Sequence, residues 1–408
     1  MTPEAAEGWR IRARNDPLDF CRWMFRSMHG QKFIVTPIHL KMNAFFLRLY
    51  AGQIPRGIIN IMPRAGKTIT VAHFIAWGLG QYPDSEWIYA SFSADLASNT
   101  SYDVREIVQS AEYQRIFPGT RLAGDSTARD HWKTTAGGQV KAAGNEGTLT
   151  GFGAGKKRPG FGGALIGDDL LKPNHALSDT MRDKVNRWFS GTFRSRRNTP
   201  DTPILIIGQR LHEADICGFL LDGGSKEHWE VLTIPVLDED GNSIWEEMYP
   251  TEEMKLLEMA DQYTFASQYM QRPAPLEGGL VKPDRLVHVD AVPAGTEFVR
   301  GWDLASTVGG GDWTAGVKLG KCPDGRYIIA DAKHAQEGPD GVRALLLGTA
   351  NEDGAEVRIS IPQDPGQAGK TQSLDLARIL AGFPVSFSPE SGHKILRAQP
   401  LFAQINVG

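Results

Sequence analysis

Residues 58–62 (Ile-Ile-Asn-Ile-Met) make an apolar run of one strand's length, and apolar residues recur at helical spacing from 69 to 79. Between them stands Arg64-Ala65-Gly66-Lys67-Thr68. A strand feeding a helix through so tight a turn commits this part of the chain to a sheet layered with helices. It also builds a phosphate cradle from Pro63, Arg64, Ala65 and Gly66. Loop amides and the helix N-terminus face anionic oxygens, Lys67 reaches the terminal phosphates, and the Thr68 hydroxyl suits magnesium. The full pattern has a glycine five residues before Gly66, where Ile61 stands. A plain strand–turn–helix is therefore the competing reading, and the rest of the chain must decide.

At 408 residues the chain is long enough for two domains with a lid or linker. Its 44 basic against 48 acidic residues give a net charge of −4, so any nucleic-acid contact must rest on local basic patches. Cys21, Cys217 and Cys322 are scattered and odd in number, which fits a reducing compartment and excludes a cysteine metal site. No apolar run is long enough to span a bilayer, and the N-terminus lacks the pattern of a signal peptide, so no membrane partner is expected.

Residues 8–30 read as one or two amphipathic helices, and Thr36 opens a helix through Tyr50. There His39, or Gln31 upstream, holds the position from which ATP motors read adenine; the alternative is a helix cap and surface histidine. Residues 86–92 read as a second buried strand, Ser93 caps a helix to about 110, and 139–143 is a short strand. Residues 144–163, rich in glycine and basic side chains, read as a mobile loop. Strands alternating with helices imply a parallel sheet with helices on both faces.

The next strand, 164–167, ends in Asp168-Asp169. In this setting Asp168 holds magnesium and Asp169 orients or deprotonates the attacking water, against a reading as a solvated turn. A basic run follows a helix over 176–189, with Arg182, Lys184, Arg187, Arg194, Arg196 and Arg197. It is either a solvated face or a track for a phosphate backbone. After the strand 203–208, Gln209-Arg210 can sense a terminal phosphate, with Arg210 bridging transition-state charge. Residues 229–275 are less regular and read as a lid or linker, closed by a Pro- and Gly-rich stretch to 279.

The last part has strands at 297–303, 313–319 and 327–332, a glycine turn at 309–312, a helix over 339–349 and a fourth strand at 357–361. Asp303 and Asp364 end the first and fourth strands, the arrangement two-metal phosphodiester cleavage requires, with magnesium or manganese held by carboxylates. Isolated turn acids are the alternative. Lys370 stands within reach of a phosphate.

Read in order, these segments resemble the large terminase subunit of tailed bacteriophages. The resemblance rests on Met62-Pro63-Arg64-Ala65-Gly66-Lys67-Thr68, Leu149-Thr150-Gly151-Phe152-Gly153-Ala154, Ile166-Gly167-Asp168-Asp169-Leu170, Ile207-Gly208-Gln209-Arg210-Leu211-His212-Glu213-Ala214-Asp215 and Phe265-Ala266-Ser267-Gln268-Tyr269-Met270-Gln271-Arg272-Pro273. It implies an α/β chain: a P-loop ATPase (1–228), a lid or linker (229–294) and an RNase H-like nuclease domain (295–408). The implied cofactors are ATP with Mg2+ for the motor and Mg2+ or Mn2+ for the nuclease. Thr68 and Asp168, and Asp303 with Asp364, would be the metal-holding residues; Asp169, Arg64 and Arg210 would serve hydrolysis. The implied partners are double-stranded DNA, the portal protein of the procapsid, a small terminase subunit and further copies in a ring, in the cytoplasm of an infected bacterium.

The family carries glutamate more often at the position of Asp169, and its nuclease ends in a further strand and an acid-rich helix. Here Gln404-Ile405-Asn406-Val407-Gly408 closes the chain before that element, and Asp375 and Glu390 substitute poorly for its acids. A truncated nuclease is the expectation. Two other functions stay open: an ATP-dependent helicase or remodeller, and a prophage remnant that keeps ATPase or portal docking without nuclease activity.

Overall fold

The computed structural model describes residues 2–124, 128–273, 286–305, 313–363, 367–389, 398, 401–402 and 405. The chain divides into two compact units, one of Met1–Lys282 with Ala398–Gly408 and the other of Pro283–Arg397.

In the first unit, α1 (Pro3–Asn15) and α2 (Pro17–His29) each begin with proline just inside a cap. The Asp16 carboxylate accepts from the Leu18 and Asp19 amides at 2.8 and 2.9 Å. Next come α3 (Pro37–Tyr50), β1 (Arg56–Ile61), α4 (Lys67–Gln81), β2 (Glu86–Ser91), α5 (Ala94–Gln109), α6 (Ala111–Ile116), β3 (His131–Lys133) and β4 (Gln139–Gly144). They are followed by β5 (Leu165–Asp168), α7 (Asp179–Trp188), β6 (Ile204–Gly208), α8 (Ile216–Leu221), β7 (Glu230–Ile234), α9 (Thr251–Ala260) and the short α10 (Gln262–Thr264). The strands form one sheet in the order β3-β4-β2-β5-β6-β1-β7, parallel except for β3.

β1 and β6 are buried along their whole length, as strands covered on both faces must be. Ile59 and Ile61 face a core with Phe74, Trp77 and Trp87, while Ile58 faces a second core with Phe189, Phe193 and Leu220. The order sets β6 between β5 and β1. The loops that follow these three strands therefore open side by side at the carboxyl edge of the sheet.

Three expectations change. Residues 230–234, read as the opening of a linker, form the edge strand β7 beside β1. The glycine-rich stretch 144–163, expected as a mobile loop, is hydrogen-bonded to the start of β2 at its far end. Glu86 donates its amide to Gly162 and accepts from the Gly155 amide, at 2.9 and 3.0 Å, and a Cβ on Gly163 (φ 107°) would lie 2.0 Å from the Glu86 carbonyl. Part of the basic run is taken up within the fold, while Lys184 and Arg187 stay exposed. Arg56, Arg194 and Arg197 converge on Glu227, Lys184 pairs with Glu146, and Arg182 is buried against the Ala176 carbonyl.

The second unit holds β8 (Glu297–Asp303), β9 (Thr314–Lys321), β10 (Tyr327–Ala335), α11 (Pro339–Asp353), β11 (Arg358–Gln363), α12 (Gln367–Ile379) and β12 (Val385–Pro389). Its sheet order is β10-β9-β8-β11-β12. The first three strands form an antiparallel meander, and β11 runs parallel to both β8 and β12. Trp302, Ile359 and Ile361 pack with Val342 and Leu346 of α11, Leu376 of α12 and Leu380 just after it. β12 is a strand beyond the four expected from sequence. The turn at 309–312, the stretch 274–279, Asp364, Glu390, residues 404 and 406–408 and the side chain of Lys370 lie outside the described residues. Among the described residues no helix is long and apolar enough to cross a membrane.

Candidate functional site

The loop after β1 turns through Arg64 and Gly66, both left-handed at φ 62° and 74°, and α4 begins at Lys67. Gly66 accepts this without a Cβ penalty; at Arg64 the conformation is strained, and its side chain is exposed. His39 closes the loop from behind. It is buried, with Nδ1 accepting the Thr36 amide at 3.1 Å, so Nε2 carries the proton toward the Ala65 backbone. A Cβ on Gly66 would meet Nε2 at 3.0 Å. Burial lowers His39 to about 4, against the pull of that backbone bond, and the ring is neutral. The structure thus makes His39 a capping-box residue of α3 that also braces the phosphate loop. The surface-histidine reading is corrected, because the ring is 2% exposed.

Across the sheet edge, β5 delivers the acid pair. The Thr68 hydroxyl donates to Asp168 Oδ2 at 2.9 Å, and Lys67 is ion-paired to Asp169. Burial lifts Asp168 to about 6, with Lys67 opposing. Burial alone would lower Lys67; Asp169 and Asp168 hold it above its usual value. Asp169 is left-handed at φ 44°, its amide donating to the Ile207 carbonyl at 2.9 Å. Its carboxylate lies where a Cβ on Gly208 would be 2.7 Å away, so a side chain there would have to push the carboxylate aside. Two adjacent pairs from distant parts of the sequence, Lys67-Thr68 and Asp168-Asp169, meet here.

The residues fit a divalent cation. Asp168 Oδ1 is buried without a hydrogen-bond partner, next to a hydroxyl that can turn toward a metal. The sequence reading missed Tyr89 on β2, whose hydroxyl donates to Asp168 Oδ2 at 2.7 Å. A phenol hydroxyl in the middle of a buried strand was the available signal.

The Gln209-Arg210 pair is placed differently from the transition-state role expected of it. The Arg210 guanidinium binds Asp215 at 3.0 Å and the His212 and Glu213 carbonyls at 3.3 Å. Asp215 also caps α8, so this arginine is built into the turn. Gln209 Oε1 is buried without a hydrogen-bond partner. The Arg210 amide donates to Gln271 Oε1 at 2.9 Å, and the Tyr249 hydroxyl donates to the Pro63 carbonyl. Nothing local in the sequence points to Tyr249, and Gln271 lies within Phe265-Ala266-Ser267-Gln268-Tyr269-Met270-Gln271-Arg272-Pro273 without a signal for this contact.

In the second unit, Asp303 is half-buried at the end of β8, opposite Ala315. β11 ends at Gln363 beside it, one residue before Asp364. Asp375 is ion-paired with Arg343 at 2.6 Å. Among the described residues no three His, Cys, Asp or Glu side chains gather as a metal set.

Residues 300–408 match the family described as the terminase RNase H-like domain. The fold and this match give the class of the chain: a mixed α/β protein whose residues 300–408 are similar to a terminase RNase H-like domain. Among solved structures, the chain is similar to the large terminase of bacteriophage HK97 (12% identity, 97% of this chain and 88% of that one, TM-score 0.44). It is also similar to the large terminase of a thermophilic bacteriophage (13%, 92% and 87%, TM-score 0.42). A third likeness is to the large terminase ATPase domain of Thermus phage P74-26 (15%, 61% and 98%, TM-score 0.39). No curated protein matches the sequence significantly.

Proposed function

We propose that this chain is the ATP-driven motor that moves double-stranded viral DNA into a procapsid. Residues 1–228 with β7 form the motor, the rest of 229–294 a lid or linker, and 295–408 a domain for metal-dependent cleavage of concatemeric DNA. The observation that carries the reading is the meeting of Lys67 and Thr68 with Asp169 and Asp168 around an unsatisfied buried carboxylate oxygen. A carboxylate buried in this way costs free energy unless a cation completes it.

In this reading Thr68 and Asp168 hold magnesium, which neutralises phosphate charge when bound. Lys67 exchanges Asp169 for the terminal phosphate, freeing the Asp169 carboxylate to accept a proton from the attacking water. Arg64 is assigned the contact with nucleotide, because its side chain is exposed while Arg210 is committed to Asp215. Asp303 and Asp364 hold the metal of the nuclease domain. The partners are the portal, a small terminase subunit and further copies in a ring, in the cytoplasm of an infected bacterium.

The test is ATP hydrolysis by the wild type and Lys67→Ala, with plasmid nicking in manganese assayed in parallel. Lys67→Ala is expected to lose hydrolysis by at least about a hundredfold without altering nicking, and Asp303→Ala to abolish any nicking. Hydrolysis indifferent to Lys67→Ala would refute the motor site.

A further inference from the structure

The segment after β7 reaches back to both loops that frame the nucleotide site. Tyr249, 6% exposed, donates to the Pro63 carbonyl in the loop after β1. Tyr263 donates to the Leu211 carbonyl at 2.9 Å in the loop after β6, and Gln271 accepts from the Arg210 amide in that same loop. β1 and β6 are adjacent parallel strands, so the three side chains grip neighbouring loops at one sheet edge. Gln271 is itself 4% exposed and left-handed at φ 60°, a conformation held only where the surroundings fix it.

We propose that Tyr249 and Gln271 are positioning residues that set the backbone of the two loops for nucleotide. This rests on the ATPase reading above. The physical basis is peptide planarity: the C=O and N–H of one trans peptide point in opposite directions. Fixing the Pro63 carbonyl on Tyr249 turns the Arg64 amide the other way and holds the strained Arg64 turn. Taking up the Arg210 amide on Gln271 likewise fixes the direction of the Gln209 carbonyl, beside the half-buried Gln209 side chain. His39 braces the phosphate loop from α3, so its turn is held from two elements distant in sequence. Trp245, packed edge-on against both His39 and Tyr249, joins the two braces.

The two contacts act on different parts of the reaction and should separate in kinetics. Tyr249→Phe removes one hydroxyl and is expected to raise the KM for ATP about three- to tenfold with little change in kcat. Gln271→Leu is expected to lower kcat by about the same factor with KM unchanged, and Gln271→Glu, which keeps the acceptor for the Arg210 amide but loses the donor to the Gln268 carbonyl, to restore part of it. Amide hydrogen exchange, which needs no activity, should quicken in residues 62–68 for the first variant and 208–212 for the second.

Unchanged exchange in both loops would overturn the proposal, whatever the wild type hydrolyses. So would faster exchange in an active enzyme whose KM and kcat do not move. If exchange responds but the wild type neither binds nor hydrolyses ATP, the ATPase reading falls and with it the role assigned to these residues.

Discussion

Two buried charge clusters, one in each unit, are built on opposite plans. In the second unit Arg300, 1% exposed, donates to Asp353 at 2.7 and 2.9 Å, to Asp331 at 2.7 Å and to the Gly316 carbonyl at 3.2 Å, while Lys318 completes Asp353. In the first unit Asp168 is equally deep, yet one carboxylate oxygen has no partner, and the backbone on either side of the cluster is left-handed at Arg64 and Asp169. A cluster that serves the fold closes its valences. A cluster kept for a ligand leaves one open and stores strain nearby.

The largest expected effect breaks the closed cluster. Asp353→Ala leaves a buried guanidinium short of its main partner and should destabilise the second unit by about 3–5 kcal/mol in urea unfolding. Asp331 is 37% exposed, so its removal should cost much less. The matched change in the first unit, Asp168→Asn, keeps volume and removes an incompletely paired charge. It should leave stability unchanged or higher while ATP hydrolysis falls by about 10²–10³-fold. Equal destabilisation by the two substitutions would erase the contrast.

Acid should separate the units next. Burial lowers both His39 and His73 to about 4, against backbone bonds to Ala65 and Ile69. The unfolded chain then binds more protons below its ordinary histidine value near 6.5. The stability these rings contribute is complete above that value and is lost as pH falls toward 4, up to about 3 kcal/mol for each. Asp168, lifted to about 6, opposes this over part of the window, but it is one group against two. Burial alone would raise Asp353, yet Arg300 and Lys318 hold it below the usual carboxylate range. Its contribution is therefore present above the ordinary aspartate value and is lost only as pH falls through the lower folded value. Amide exchange followed unit by unit should show the first loosening between pH 6.5 and 4 while the second holds; simultaneous loosening would contradict this.

The difference between the clusters also tracks what could be read from the chain. The phosphate loop and the acid pair were legible because each is a local pattern, a strand end followed by a turn of characteristic residues. Their partners were not local. Tyr89 lies 79 residues from Asp168, Tyr249 lies 186 from Pro63, and Gln271 lies 61 from Arg210. Arg210 was read for the chemistry its position invites, but Asp215, five residues on, takes up its guanidinium. The basic run was read as surface because Glu227, which gathers three arginines, comes after it and tertiary folding brings Arg56 to the same carboxylate. β12 was overlooked because Val-Ser-Phe-Ser-Pro is short and ends in proline, and pairing with β11 makes it a strand.

The smallest effect probes the open valence most directly. Tyr89→Phe removes one donor from Asp168 Oδ2 and leaves the Thr68 bond in place. That hydrogen bond favours the ionised carboxylate over its protonated form, whereas burial favours the reverse. Without it a smaller share of Asp168 is charged near neutral pH, so more magnesium should be needed for half-maximal hydrolysis, by about three- to tenfold. The KM for ATP at saturating magnesium should stay the same, because Tyr89 does not touch the phosphate loop's backbone. Tyr113→Phe supplies the control. Its hydroxyl donates to the Ala76 carbonyl at 2.8 Å in the same unit, and its loss should lower stability by a comparable ~1 kcal/mol with no change in magnesium demand. If both tyrosines shift the magnesium requirement alike, the effect is a general loosening of the fold, and Asp168 is not the cation's carboxylate.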